Sequence, residues 1–479
     1  MGSELVEQLD RCWRSDIVPT LSEYVAVPAL SPAFDAQWAD HGAIEAALQL
    51  LQAWAAARSV AGMTVEIIRL EGLTPVLLVE VPAFDLPQGA AQETVLLYGH
   101  YDKQPPMSGW LEGLGPWSPV IRDDRLYGRG AADDGYALFA CLAALEAVQD
   151  RGGSHQRCVI LIEGSEESGS PHLPAYFTAL RTRIGEPSLV ICLDSGCADY
   201  QRLWVTTSLR GMAAGVLSVE VTDEGRHSGA VGGVIPSTFR IIRQLLGRIE
   251  DADTGAVLIP EANVAIPPER VTQAAELVAA VGDGIDAYPL LDGVNVRIKA
   301  PAELELDRTW RPALHVIGAD GLPATADAGN VLRPRTALKL SMRLPPTADP
   351  EAVSAALGRV LTADPPYGAR VRFEADTPAP GWNAPPLADW TLDLLARSSQ
   401  EHFGLPAGFV GEGGTIPLMG TLQAAFPSAQ LLVMGVLGPG SNAHGPNEFL
   451  HLGMGVGLTA CVADLLVGHA HNPGGGSHD

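Results

Sequence analysis

At 479 residues the chain exceeds what one ordinary core organises, and a prior of about 100 to 200 residues per domain points to two or three domains. A hydrophobic share of 47% beside 18% charged residues excludes a disordered or fibrous chain. A formal net charge of −25 argues against nucleic acid or an anionic membrane as partner, because such surfaces are bound through clustered Lys and Arg, so small substrates are expected.

The opening MGSELVEQLDRCWRSD lacks a basic segment followed by an apolar core, and no uninterrupted apolar run approaches about 20 residues, so neither secretion nor membrane spanning is expected. The six cysteines are scattered, without the density of a disulfide framework, and fit a reducing cytoplasm. After an amphipathic N-terminal region, Val95 to Tyr98 is an apolar run entering GHYDKQPP, which reads as a buried strand ending in a loop. Tyr136 to Gln149 has helical length, and Cys158 to Ile162 and Leu189 to Leu193 read as two more buried strands. Strands alternating with helices predict an α/β fold with a mostly parallel sheet.

From about Ser208 the pattern changes. Ala213 to Val221, Ala337 to Leu344 and Arg370 to Ala375 read as strands, with helices over Thr238 to Ile249 and Pro350 to Thr362, which together make a small α/β sandwich. PAPGWNAPP, Pro378 to Pro386, looks like a crossing back to the first domain. Gln430 to Val436 then gives a last strand and Met454 to Val467 a last helix. The expected organisation is therefore a first domain over 1–207 and 383–467, an inserted one over 208–382, and a flexible tail over 468–479.

The polar residues at the ends of these strands carry the chemistry, because an α/β sheet gathers functional groups there. His100 and Asp102 in GHYD are two apart, on one side of an extended segment, although a lone HxD pair is weak evidence. Asp133 and Asp134 follow LYGRGAA, where an ordinary acidic turn is the competing reading. Glu166 and Glu167 in EGSEESGS come directly after the strand CVILI, and adjacent carboxylates facing a cleft repel unless a cation or a shared proton intervenes. Asp194 ends SLVICLD, with a helix N-cap as its alternative role. His444 sits in GPGSNAHGPNE, too rich in Gly, Pro and Asn for regular structure. Two imidazoles and three carboxylates, with Glu166 beyond them, exceed what one tetrahedral metal uses. Two metals sharing a carboxylate fit this set, with Glu167 a ligand and Glu166 the general base of an amide hydrolase.

YGHYDKQPP, LYGRGAADDG, EGSEESGS, CLDSG, RHSGAVGG, GNVLRP, LSMRLPP, EGGTIP and NAHGPNE resemble, in order, the motifs of the M20 co-catalytic metallopeptidases, which include carnosinase-type dipeptidases, carboxypeptidase G2 and aminoacylases. The resemblance implies a phosphorylase/hydrolase-like di-metal domain carrying an inserted ferredoxin-like lid that also dimerises. It implies that Asp133 bridges the metals, that His100 and Asp194 complete one site, and that Glu167 and His444 complete the other. Zinc is the default ion, with manganese or cobalt as alternatives, since ligand type does not settle the metal. Asp102 resembles the carboxylate that hydrogen-bonds His100 and fixes its ring. A cis peptide is expected between Asp133 and Asp134.

For the inserted domain the resemblance implies that His227 in RHSG reaches the active site of a neighbouring subunit in a homodimer and stabilises the oxyanion. Arg343 and Asn330 resemble residues that bind the substrate carboxylate and backbone, and Gly413, Gly414 and Thr415 match a substrate-lining turn. The bland alternatives are a sheet-surface ion pair for Arg343, a turn residue for Asn330 and a loop histidine for His227. Cys192, Cys197 and the tail histidines His469, His471 and His478 are expected to take no part, and His315 is expected in the core or an interface. The motifs lie closest to the carnosinase-type branch, so a dipeptide or short peptide is the expected substrate. An N-acyl-amino-acid amidohydrolase is the runner-up, and a catalytically silent scaffold the third reading.

Overall fold

The apolar run at Val95–Tyr98 is the middle of a strand, Thr94–His100, whose residues from Val95 onward are all buried. The computed structural model of the protein describes residues 4–89, 91–285, 290–296, 300–414 and 417–472, and the chain separates into two compact units. The first comprises Met1–Thr207, Ala384–Val410 and Leu418–Asp479; the second comprises Ser208–Asn383 and Gly411–Pro417.

The first unit is built on a six-stranded sheet in the order Thr64–Ile68, Val76–Val81, Arg157–Glu163, Thr94–His100, Leu189–Cys192, Gln430–Val433. The last four are mutually parallel and the first two join antiparallel. In register, His100 lies opposite Glu163, and Tyr98 opposite Cys192, so the strands bearing the candidate residues end at one edge of the sheet. Each fully buried Leu or Val in these runs contributes roughly 1.5–3 kcal/mol relative to exposure, which holds the strand ends in place.

Helices Ala137–Asp150, Asp389–His402 and Leu452–His471 pack together, and the N-terminal helix Glu4–Cys12 joins the last of them. Leu452–His471 is long and apolar enough to cross a membrane, but most of it is buried within this unit, which identifies a core helix. It also runs four residues past the end expected at Val467. His469 therefore belongs to the core and not to a tail: it is buried, with Nε2 2.8 Å from Ser188 Oγ and 3.0 Å from Glu93 Oε2. His471 ends the same helix, and His478 lies outside the described residues.

The second unit is a four-stranded antiparallel sheet in the order Ala313–Asp320, Arg335–Leu344, Gly211–Glu220, Arg370–Ala375. Its core combines Leu217, Leu338, Leu340 and Met342 of the sheet with Ile241, Ile242 and Leu245 of helix Thr238–Leu246 and Val353, Leu357 and Leu361 of helix Pro350–Thr362. Asp349 caps the latter, its carboxylate accepting the amides of Glu351 and Ala352. Strand Ala313–Asp320 and helices Pro268–Val281 and Pro301–Thr309 go beyond the elements read from the sequence. His315, expected in the core or an interface, is exposed on that edge strand, because only one side of the strand is paired and its neighbours Val316 and Ile317 also face outward.

Segment Gly411–Pro417, which continues the first domain in sequence, clusters with the second unit instead. The reason is local: Gly414 O accepts from Arg210 N at 2.9 Å, Gly413 O from Arg210 Nε at 3.1 Å, and Gly411 O from Arg308 Nη2 at 3.1 Å.

Candidate dinuclear metal centre

Among the described residues, two sets of side chains in the first unit could each hold a metal ion, His100 with Asp133 and Asp194, and Asp133 with Glu167 and His444; within each set the ligand atoms lie within 4.8 Å of one another. Asp133 belongs to both. Its Oδ1 stands 3.3 Å from His100 Nε2, and its Oδ2 stands 3.1 Å from His444 Nε2. Asp194 Oδ2 is 3.8 Å from His100 Nε2, and Glu167 Oε2 is 3.2 Å from His444 Nε2. Glu166 is in neither set.

The chain reaches this arrangement through close approaches. A Cβ on Gly99 would lie 2.4 Å from Ala137 Cβ and 2.6 Å from Asp134 Oδ2, so only glycine lets the strand pass the Asp134 turn. Asp134 Oδ2 then accepts the His100 amide at 3.2 Å, and the peptide joining Asp133 to Asp134 is cis. Asp194 follows the buried strand Leu189–Cys192 by two residues, and the carbonyl of Leu193 between them accepts from the Tyr136 hydroxyl.

Asp102 organises two loops. His100 Nδ1 lies 3.4 Å from Asp102 Oδ1 and 3.1 Å from the Asp102 carbonyl, while Oδ1 accepts the Glu166 amide and Oδ2 the Glu167 amide, both at 3.1 Å. The glutamate turn is shaped from inside as well, since buried Glu163 accepts from Tyr98, Ser165 and Ser170. Gln104 Nε2 donates to Glu167 Oε2 at 2.7 Å, whereas Glu167 Oε1 is buried without a hydrogen-bond partner. A carboxylate oxygen without a partner is costly to bury and suits a cation.

The electrostatics point the same way. Burial, then the charge of Asp194, pushes Glu166 well above the usual carboxylate range, and burial raises Asp194 to about 7 against the opposing charge of His100. Burial, then Asp133, raises Glu167. Hydrogen bonds to Asp133, then to Glu167, push His444 up to about 11. Burial opposes ionisation of Asp133, but the two histidines outweigh it and hold the carboxyl below its ordinary value. Protons thus hold together a cluster whose negative charges would otherwise repel. A divalent cation held by these residues would take the place of those protons, since ligating imidazoles must be neutral and carboxylates ionised.

The candidate lid residues lie in the second unit. His227, on the two-residue strand Arg226–His227 paired with Val331–Leu332, is exposed, and its Nδ1 accepts the Gly229 amide at 3.1 Å. Asn330 is exposed beside it, its carbonyl accepting from Ser228 N at 2.9 Å. Arg343 is partly buried on the strand Arg335–Leu344, and its charge, after the larger effect of burial, helps lower Arg210 to about 10. Gly413 and Gly414 bind Arg210 as described above; Thr415 lies outside the described residues. Cys192 and Cys197 are free thiols outside both metal-binding sets.

Four residues inside the quoted motifs carry structure that the sequence reading did not assign: Gln104, Arg129, Glu163 and Glu448. Arg129, Glu163 and Glu448 are charged yet buried. A charged residue inside a Gly-rich motif was the available signal, but which partner it meets depends on long-range folding.

Two ligand sets sharing one carboxylate define a candidate dinuclear metal centre. The chain belongs to the peptidase family M20/M25/M40, whose pattern matches residues 96–467. It is 30% identical over 374 residues to the cysteinylglycine-S-conjugate dipeptidase of Corynebacterium striatum, covering 74% of this chain and 76% of that protein. It is 26% identical over 386 residues to the human Beta-Ala-His dipeptidase, covering 78% and 74%. Among solved structures, the dipeptidase Dug1p of Saccharomyces cerevisiae superposes with a TM-score of 0.73 at 22% identity, covering 99% of this chain and 100% of that one.

Proposed function

We propose that the chain is a metal-dependent dipeptidase that hydrolyses the peptide bond of dipeptides or short peptides, with two metal ions held by His100, Asp133, Asp194, Glu167 and His444. The observation that carries this reading is Asp133, whose two oxygens face two different histidines, with Glu166 alongside but outside both ligand sets. Relatives named as dipeptidases support the substrate class. Zinc is the ion we assign by default, manganese or cobalt serving the same ligands.

Metal ions bound there supply electrophilic polarisation of the scissile carbonyl and lower the pKa of attacking water. Glu166, beside Glu167 and in neither ligand set, accepts the proton of the attacking water and delivers it to the leaving amine. Asp102 fixes the ring of His100 and the backbone of the glutamate turn. In the second unit, Arg343 binds the substrate carboxylate and Asn330 its backbone, with Gly413, Gly414 and Thr415 lining the substrate. His227 donates to the oxyanion across a homodimer. Its Nδ1 already accepts an amide hydrogen, which leaves Nε2 as the N–H donor of the neutral ring. The exposed edge strand Ala313–Asp320, with Val316 and Ile317 outward, supports a dimer through this unit. Six free cysteines support a reducing cytoplasmic setting.

A metal-loaded panel of dipeptides and N-acyl amino acids tests the reading, with chelation and Glu166→Gln as controls. Turnover of dipeptides supports it. Exclusive turnover of N-acyl amino acids replaces it with an amidohydrolase, and no turnover of any amide despite bound metal replaces it with a scaffold. Mixing His227→Ala with Glu166→Gln protomers restores some activity if His227 acts across subunits; confirmed exchange without recovery sinks that assignment.

A further inference from the structure

The segment carrying His444 has no regular structure to hold it. Asn442, His444 and Asn447 all have positive φ, and the His444 side chain is 56% exposed, yet its Nε2 is held near Asp133 and Glu167. The fixing contacts converge on Arg129, four residues before Asp133. Its Nη1 donates to Glu448 Oε2, its Nη2 to Gly445 O at 2.9 Å, and its Nε to Pro105 O at 3.2 Å. Glu448 answers from the other side: Oε1 accepts the Gly130 amide at 2.9 Å, and its carbonyl accepts the Gly128 amide at 3.0 Å. Both side chains are buried, at 1% and 0% exposure.

Three segments held by the side chains of this pair lead to the ligands of one set, Asp133 among them being common to both sets. Gly445 follows His444, Gly130 leads into Asp133, and Pro105 follows Gln104, which donates to Glu167. The two ligands particular to the other set are placed by the sheet instead: His100 ends a strand of the parallel sheet and Asp194 closely follows its neighbour.

We propose that the buried Arg129–Glu448 pair is a positioning clamp that preorganises one metal half-site, Asp133 with Glu167 and His444, and that acts on the other only through the shared Asp133, leaving His100 and Asp194 to the sheet. This rests on the two-metal reading above. Arg129 suits the task because its planar fork donates in three fixed directions from one side chain, which a lysine ammonium does not reproduce.

The test titrates zinc into chelated, dialysed protein by calorimetry, with the thermal midpoint of the metal-free protein measured in parallel. Wild type is expected to bind two ions. Arg129→Lys is expected to keep one binding step at wild-type affinity and to weaken the other roughly 10–100-fold, as loss of residues orienting metal ligands typically does. His444→Ala should abolish that same step, which identifies it. Should Arg129→Lys fail to fold, the near-isosteric Glu448→Gln carries the same measurement. Two unchanged steps, or equal weakening of both, overturn the clamp. A wild type that binds fewer than two ions overturns the two-metal reading itself, so the two failures are distinguishable.

Discussion

The two halves of the candidate metal centre are held by different parts of the polypeptide. His100 and Asp194 stand at the ends of neighbouring parallel strands, buried on a sheet that fixes them through its core. Glu167 sits on a single 3-10 turn and His444 in an irregular loop, both fixed by polar contacts to other loops. The first arrangement draws its order from apolar burial, the second from hydrogen bonds whose removal leaves buried groups unpaired. A difference of this kind predicts that the halves respond unequally to substitution.

Asp133→Ala, which removes the residue common to both sets, is expected to have the largest effect, with loss of both ions by elemental analysis and loss of activity; retention of either ion would break the shared-ligand reading. Glu166→Gln is expected to lower kcat by roughly 10²–10⁴-fold, the range for a positioned general base, while two ions remain bound. Metal loss equal to that of Asp133→Ala would undo the division of labour between the adjacent glutamates. Asp102→Asn is next, with metal affinity falling roughly 10–100-fold. Because Asp102 also receives the Glu166 and Glu167 amides, kcat per metal-loaded molecule should fall too, and an unchanged kcat would confine Asp102 to His100.

The smallest expected effect concerns pH. Asp194 and Glu448 are both raised to about 7 by burial, so in metal-free protein they stabilise the fold below their ordinary values of 3.8 and 4.5 and lose that contribution as pH rises through about 7. His444, raised to about 11, adds to the fall, losing its contribution as pH rises from its ordinary 6.5 through about 11. The thermal midpoint of chelated protein should therefore fall from about pH 5 to about pH 8, and added zinc should reverse the slope, because metal competes with protons for the same ligands. Parallel slopes with and without zinc would break the link between the cluster's protons and its ions.

The same contrast explains what could be read from the sequence. The strands over Val95–Tyr98 and Cys158–Ile162 stand out because burial on both faces leaves an unbroken apolar run, and the residues following them draw the eye at once. Strand Ala313–Asp320 does not announce itself: it is exposed on an edge, and its run PALHVIG carries no clean alternation. Helix Leu452–His471 outruns its expected end because GHAH resembles a tail, whereas His469 is held by Ser188 and Glu93, nearly 300 and 400 residues earlier in the chain. Arg129 and Glu448 stood inside recognised motifs without a role, since their partnership spans 319 residues and no local pattern encodes it.

Asp102 has a consequence for how such a chain can diversify. One carboxylate sets both the ring of His100 and the amides of Glu166 and Glu167, so the spacing between candidate ligands and the proposed proton carrier is internal to two short segments. Loops that do not touch Asp102 can exchange residues without re-aiming His100 against the amides of Glu166 and Glu167.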